Sequence, residues 1–249
     1  LVLTDPVFDD RFMMVPRDAD DKPSDDGQFG LAMRVYAPGL NDTEFGFYYL
    51  HYHSRLPVLS GIAVDAIPPS LGGSGTVFPA NYFLEFPEGI DMFGASFNTS
   101  LGTWAWSGEV SYRPNLPLQA DDVELLFAAL TPLNPLIPAP ANRYYSQLGE
   151  FAPGEEIRGW FEHESYQAQT TFTKLFGPEN FIGANQVAFV TEIGANWVGG
   201  LPDFDTLRYN GPGTDTGGGP DVSQGVFTNP VTEERSAFAD DFSWGYRLL

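Results

Sequence analysis

His51 and His53 stand two residues apart, and with Arg55 they share one face if that stretch is extended, because side chains alternate along a strand. A carboxylate opposite them would complete a metal site or a proton relay. Without that partner they are polar lining. Glu162 and Glu164 flank His163 and also share a face, His163 pointing the other way. Glycoside hydrolysis uses such acid pairs, but its two carboxyls come from separate strands and stand about 5 or 6.5–9.5 Å apart across a sugar. Two acids on one strand fit better as charged strand-end residues. Asp18-Ala19-Asp20-Asp21-Lys22 begins like a calcium loop and fails at its third ligand position, where Lys22 stands and no Gly follows. Gly72-Gly73-Ser74-Gly75 has neither the nucleophile-elbow spacing nor the Gly-Lys ending of a phosphate loop. With no cysteine, thiol catalysis, disulfides and thiolate metal sites are excluded. No catalytic residue and no metal ligand set follow from these motifs.

The charge narrows the partners. Against 33 acidic residues stand 12 basic ones, a net charge of -21, so the basic surface that nucleic acid requires is missing. The acids gather outside the extended segments: Asp18, Asp20, Asp21, Asp25 and Asp26, then Asp121, Asp122 and Glu124, Glu150, Glu155 and Glu156, then Asp203, Asp205, Asp215 and Asp221. They form a solvated surface, or carboxylate-rich loops that bind divalent cations through oxygen.

The elements that must position these residues are strands. Gln28–Ala37 meets Glu44–Arg55 across a brief turn, and Ile90–Ser100 meets Thr103–Arg113 across Leu101-Gly102, so both pairs are hairpins. Between and after them run long connections over 57–89, 114–156 and 199–237, roughly thirty or forty residues each where a few are typical. Every strand alternates with period two. Phe29, Leu31, Met33 and Val35 oppose Gly30, Ala32 and Arg34; Trp104, Trp106, Val110 and Tyr112 oppose Glu109 and Arg113. Val187, Phe189, Ile193 and Trp197 oppose Glu192, and Phe242, Trp244, Tyr246 and Leu248 oppose Arg247. A soluble β-sandwich also alternates. Strands of about ten residues, however, are long enough to cross a bilayer at a tilt, and globular strands average nearer five or six. All five tryptophans lie on strand segments, so Trp104, Trp106, Tyr112, Trp197, Trp244 and Tyr246 are expected at a membrane interface. No apolar run approaches the ~18 residues of a transmembrane helix, which leaves a barrel open.

Two loop segments have structure of their own. Ala120–Leu130 reads as a short amphipathic helix with acids at its start. The apolar, Pro-rich Thr131–Pro140 after it must dock somewhere, as a plug in a barrel mouth or as a landing site for a hydrophobic ligand.

Tyr82-Phe83-Leu84-Glu85-Phe86-Pro87-Glu88, Gly94-Ala95-Ser96-Phe97-Asn98-Thr99 and Gly108-Glu109-Val110-Ser111-Tyr112-Arg113-Pro114-Asn115-Leu116-Pro117-Leu118-Gln119 resemble the proteobacterial family called domain of unknown function thirteen-oh-two. So do the residues from Phe45 to Pro57, Leu207-Arg208-Tyr209-Asn210-Gly211-Pro212-Gly213-Thr214 and the closing Ser243-Trp244-Gly245-Tyr246-Arg247-Leu248. The resemblance implies an outer-membrane protein of a Gram-negative bacterium, about twice this length, without an established active site. It also implies movement of hydrophobic compounds across the envelope, near lipid-carrier-like periplasmic proteins and efflux-type transporters. The expectation is therefore an all-β, antiparallel up-and-down transmembrane barrel, of which this chain is a part, with long outer loops on one rim. Its lumen would be lined by Arg34, His51, His53 and Arg55, and by Glu109, Arg113, Glu192 and Arg247. It would be no enzyme and would need no cofactor beyond divalent cations on the acidic loops; its partners would be membrane lipid and a hydrophobic small molecule. The alternative is a secreted, soluble all-β hydrolase or ligand-binding module using Glu162, Glu164 or Glu192.

Overall fold

The two-residue alternation of the long segments builds one continuous antiparallel meander in the computed structural model, which describes residues 15–67, 80–136, 144–180, 182–210, 238 and 240–249. In chain order the strands are β1 (Phe29–Ala37), β2 (Thr43–Tyr52), β3 (Val58–Ile62), β4 (Asn81–Glu85), β5 (Ile90–Leu101), β6 (Trp104–Gln119), β7 (Glu156–Ile157), β8 (Trp160–Phe176), β9 (Val187–Gly199) and β10 (Phe242–Leu248). One helix, α1 (Asp122–Leu130), and a 3-10 turn over Thr131–Leu136 lie between β6 and β7.

Seven strands form one sheet in the order β1-β2-β5-β6-β8-β9-β10, every pair antiparallel. The β5–β6 reversal is tight because Gly102 takes φ 64°, a conformation that costs other residues energy. The protein is thus all-β and antiparallel, as the alternation predicts. Among the described residues the sheet stays open: β1 pairs only with β2 and β10 only with β9.

The long connections differ from the outer loops expected over 57–89 and 114–156. They hold β3, β4, β7, α1 and the far end of β6. The three-stranded sheet β4-β3-β7 and α1 enclose a core of Ala63, Val64, Ala80, Leu125, Phe127, Ala128, Leu130, Leu133 and Ile157. This cap owns the main buried hydrophobic cluster of the described chain. The α1 start is as expected, since the Asp121 side chain accepts from Glu124 N at 3.2 Å and Asp122 and Glu124 sit in the positive first turn. Leu133 of the Pro-rich segment docks into this core; 137–140 of that segment, Gly72–Gly75, and 211–237 of the third long connection lie outside the described residues.

Cap and meander are stitched by one amide. Gln119 accepts from Leu59 N at 2.5 Å and donates to Leu59 O at 3.0 Å and Gly159 O at 2.7 Å, taking the place of a strand between β3 and β8. At the other flank the acidic stretch before β1 lies parallel to β4, with Asp18 N donating to Tyr82 O at 2.8 Å and Asp21 N to Leu84 O at 2.9 Å. Ser24 N and its neighbourhood hold the Glu88 carboxylate, and this backbone donor pulls the Glu88 pKa below its ordinary 4.5. A depressed acid stabilises the fold fully above its unfolded pKa and loses that contribution as pH falls through the lower folded value. The segment around Ser24 is therefore expected to become protease-sensitive on acidification below about pH 4 in the wild type. Glu88→Gln should show that sensitivity already at neutral pH, in timed proteolysis read by mass spectrometry.

Candidate functional site

The register sorts the seven-stranded sheet into two faces. Leu31, Tyr49, Phe93, Tyr112, Tyr166, Trp197 and Phe242 are successive cross-strand partners and so form one row across all seven strands. Their rings touch: Tyr49 and Phe93 centroids are 5.0 Å apart, Phe93 and Tyr112 6.3 Å, Tyr112 and Tyr166 4.6 Å, Tyr166 and Trp197 4.9 Å. Towards the short turns the same face carries a second aromatic group, with Phe97 to Trp106 at 4.7 Å, Trp106 to Phe172 at 5.6 Å and Trp104 to Phe189 at 5.9 Å. Lys174 caps it, its ammonium 5.0 Å from the rings of both Trp104 and Phe176.

Between the two bands the face is small and apolar: Ala95, Val110, Ala168, Ala195 and Ile193. The Phe97 ring covers Gly108, where a Cβ would come within 2.6 Å of it. From Tyr112 to Trp104 along β6 is ~27 Å at ~3.4 Å per residue, close to the ~25 Å apolar belt of outer-membrane barrels. No second layer of described residues covers this face, and Leu31 is 70 %, Trp244 65 % and Tyr246 74 % exposed.

The six expected interface aromatics all stand on this face. Trp104 and Trp106 belong to the short-turn band and Tyr112 and Trp197 to the opposite one, whereas Trp244 and Tyr246 pair with Ala195 and Ile193 between the bands. The opposite face is polar. Arg34, Glu109, Arg113, Glu192 and Arg247 project from it, among Ser96, Asn98, Ser111, Gln167, Gln169 and Asn196. Arg34 lies 3.8 Å from Glu44, and Thr171 donates to Glu192 at 3.5 Å. A groove of about 510 Å³ opens along this side, lined by Tyr48, Met92, Ser96, Glu109, Arg113, Gln167 and Asn196 among others.

Three expected lining residues are placed elsewhere. His51 pairs with Phe29 and Asp91 and stands on the aromatic face, where its Nδ1 is 2.8 Å from Asp91 Oδ1, the oxygen that Tyr49 OH also reaches at 2.8 Å. Hydropathy cannot orient β2, because Phe45, Phe47 and Tyr49 alternate with Tyr48, Leu50 and Tyr52; only the register decides. His53 lies past the end of β2 and is buried. Its Nδ1 accepts from Gly89 N at 3.1 Å and its Nε2 lies 2.8 Å from Asp26 O, so it pins three segments together. Arg55 is exposed in the bend that follows.

The hydrolase acids do not assemble. Glu162 and Glu164 share the aromatic face, Glu164 held by Tyr112 OH at 3.2 Å and Tyr166 OH at 3.0 Å, while Glu192 occupies the polar one. His163 contacts Tyr209 OH at 2.7 Å, and burial pushes the Tyr209 phenol up to about 12. Among the described residues no three His, Asp or Glu side chains converge on a metal site.

Sequence reading missed two clusters. Glu124 and Arg208 form a buried ion pair at 2.7 Å, with Gln147 N donating to Glu124 Oε2 at 2.6 Å and Arg208 Nε donating to Gln147 Oε1 at 3.1 Å. Arg113 is gripped by neutral oxygens: Nε donates to Tyr52 OH at 3.3 Å and Nη1 to Gln167 Oε1 at 3.0 Å and Ser111 Oγ at 3.4 Å. Next to it β6 carries one extra residue against β8 between Arg113 and Leu116, a bulge whose Asn115 accepts from Asp91 N at 3.0 Å and donates to Gly89 O at 2.9 Å. No sequence signal marks partners so distant along the chain.

No curated protein and no solved structure matches the chain. The family model described as Protein of unknown function (DUF1302) matches residues 7–249, and the chain belongs to that family.

Proposed function

We propose that the seven-stranded sheet is one wall of a transmembrane β-barrel in a Gram-negative outer membrane, which passes or holds small hydrophobic compounds. The aromatic face meets lipid and the polar face lines the lumen, with the cap standing above the rim of long connections. One observation carries this reading: the large exposed apolar face has no covering layer among the described residues, while the adjoining cap builds a proper buried core. A soluble sandwich would bury those rings. The ring bands flanking a small-residue belt add to it.

β1 and β10 run in the same direction, so an antiparallel closure takes an odd number of further strands. A second copy closing the wall edge to edge about the barrel axis would instead bring β10 against β1 in parallel. Function then rests on selection by lumen charge and on passage past the cap, with no bond chemistry.

Brominated phosphatidylcholine tests this. Chains retaining a single tryptophan, the other four replaced by Phe, are reconstituted into the vesicles. Trp106 and Trp197 fluorescence is expected to be strongly quenched. Trp160 is expected to escape, since it lies between Arg158, 3.6 Å above its ring, and Glu85, which accepts from its Nε1 at 2.8 Å. Equal, weak quenching at all three positions would refute a lipid-facing sheet.

A further inference from the structure

Of all the groups on the polar face, Arg113 is the one whose setting asks for a ligand. In a chain with 33 acidic residues, its three hydrogen-bond acceptors are a phenol, a hydroxyl and an amide, all uncharged. No carboxylate lies within ion-pair distance of it among the described residues, whereas Arg34 has Glu44, Arg17 has Asp20 and Arg208 has Glu124; Arg247 on the same face also lacks an ion pair, but it stands exposed on the edge strand β10 without the hydrogen bonds that fix Arg113. A guanidinium held by neutral acceptors is not offset by a neighbouring carboxylate and has a set orientation; with Nε and Nη1 engaged, its Nη2 N–H donors are left to meet an oxyanion. The bulge at Pro114-Asn115 directly follows it, a device that re-aims side chains beside binding sites.

What flanks Arg113 sets the rest of the ligand. Met92 stands one residue beyond the last β5–β6 pair, Phe93 with Tyr112, and lines the same groove as Arg113, as does Tyr48; Leu50 is the partner of Met92 on β2. Away from them the groove turns to Gln167, Gln169 and Asn196. Glu109 is the groove's other charged residue, on the same face of β6 and nearer the short turns, so an anion is drawn to the Arg113 end and repelled from the other.

We propose that Arg113 is the headgroup site for an amphiphile that carries a single anionic group on an alkyl tail, with Leu50, Met92 and Tyr48 holding the first part of the tail. This deepens the transport reading and rests on it.

The test uses the full chain in a non-ionic detergent and three probes by isothermal titration: decanoate, decanol and acetate. Decanoate is expected to bind, with decanol and acetate each weaker by about tenfold or more, since a charge-assisted pair and a buried tail both contribute. Arg113→Gln should lower decanoate affinity by about ten- to a hundredfold. Gln167→Glu leaves the arginine in place and sets a carboxylate beside it; the same loss is expected, and this variant decides the matter if Arg113→Gln fails to fold. Decanol binding as tightly as decanoate, or acetate as tightly as decanoate, overturns the proposal, as does full affinity in Gln167→Glu. Flotation with phosphatidylcholine vesicles separates the two layers of inference. A wild-type chain that floats yet does not prefer decanoate overturns the anion site alone, and one that stays in the aqueous fraction overturns both.

Discussion

Glu124→Ala is expected to destabilise the cap by about 3–5 kcal/mol, the range for removing one partner of a buried ion pair. The side chains of Arg208 and Glu124 are 6 % and 2 % exposed, so the arginine left behind has no water to replace its carboxylate. Gln147 stays bound to Arg208 through its Oε1, but a neutral amide does not offset a buried positive charge. The same replacement removes the acceptor of Gln147 N, adding an unsatisfied donor. Arg208→Ala should cost a similar amount for the mirror reason, the carboxylate then being orphaned. The double variant Glu124→Met with Arg208→Met should be milder than either single change, because it removes both charges together.

The consequence is local before it is global. Ala120 N donates to Gly159 O at 2.8 Å, Asp121 N to Arg208 O at 2.9 Å and Asn210 N to Gln119 O at 3.0 Å, so the pair locks the connection after β9 onto the start of α1. Hydrogen exchange in Glu124→Ala is expected to rise over residues 120–136 and 204–210 while β5, β6 and β8 stay protected. Singles that each cost less than about 1 kcal/mol in a thermal melt would mean that the pair is not what fastens the cap.

The sheet was legible in the chain because alternation is a local property, and the cap, apart from α1, was not because its determinants are distant. Period two and the short turns marked β1, β2, β5, the first part of β6, β9 and β10, and where one parity was plainly apolar, as in β1, β6, β9 and β10, the alternation also gave the face. β2 is aromatic on both parities, which is why His51 and Asp91 were assigned only by pairing with Phe29 and each other. β3 and β4 are five residues each, set in turn-rich sequence, so they read as loop; their stability comes from α1 and Gln119, far along the chain. The bulge hides because Leu116 and Leu118 keep the sequence parity of Val110 and Tyr112, although the extra residue turns them to the other face. Arg113 was legible as a polar-face residue, while its neutral cage of Tyr52, Ser111 and Gln167 needed three strands in register.

Ala168→Arg and Gln169→Arg, one residue apart on β8, should have opposite outcomes. Ala168 sits between the two aromatic bands, two residues from Tyr166 and four from Phe172, with Val110 and Ala195 as cross-strand partners, and it lines an apolar depression of the uncovered face. If that face meets hydrocarbon, an arginine there costs about 1–3 kcal/mol, between the ~0–1 of an outer-membrane barrel's interface and the ~2–4 of its midplane. Tyr166 stands two residues away, about 7 Å at ~3.4 Å per residue, and Phe172 four, so the guanidinium reaches only the nearer interface, and only with its stem stretched along the strand. Gln169 projects to the polar side, opposite Glu109 and Gly194, where an added arginine finds water and a carboxylate. The measurement is the folded, vesicle-inserted fraction against urea, followed by tryptophan fluorescence. Wild type and Gln169→Arg are expected to unfold together, and Ala168→Arg to unfold at distinctly lower urea or to fail insertion. A soluble protein would give another result: both positions are exposed there, and two surface arginines would each change stability by less than about 0.5 kcal/mol. The contrast between adjacent residues therefore reads the solvent on each side of the sheet, whatever closes its edges.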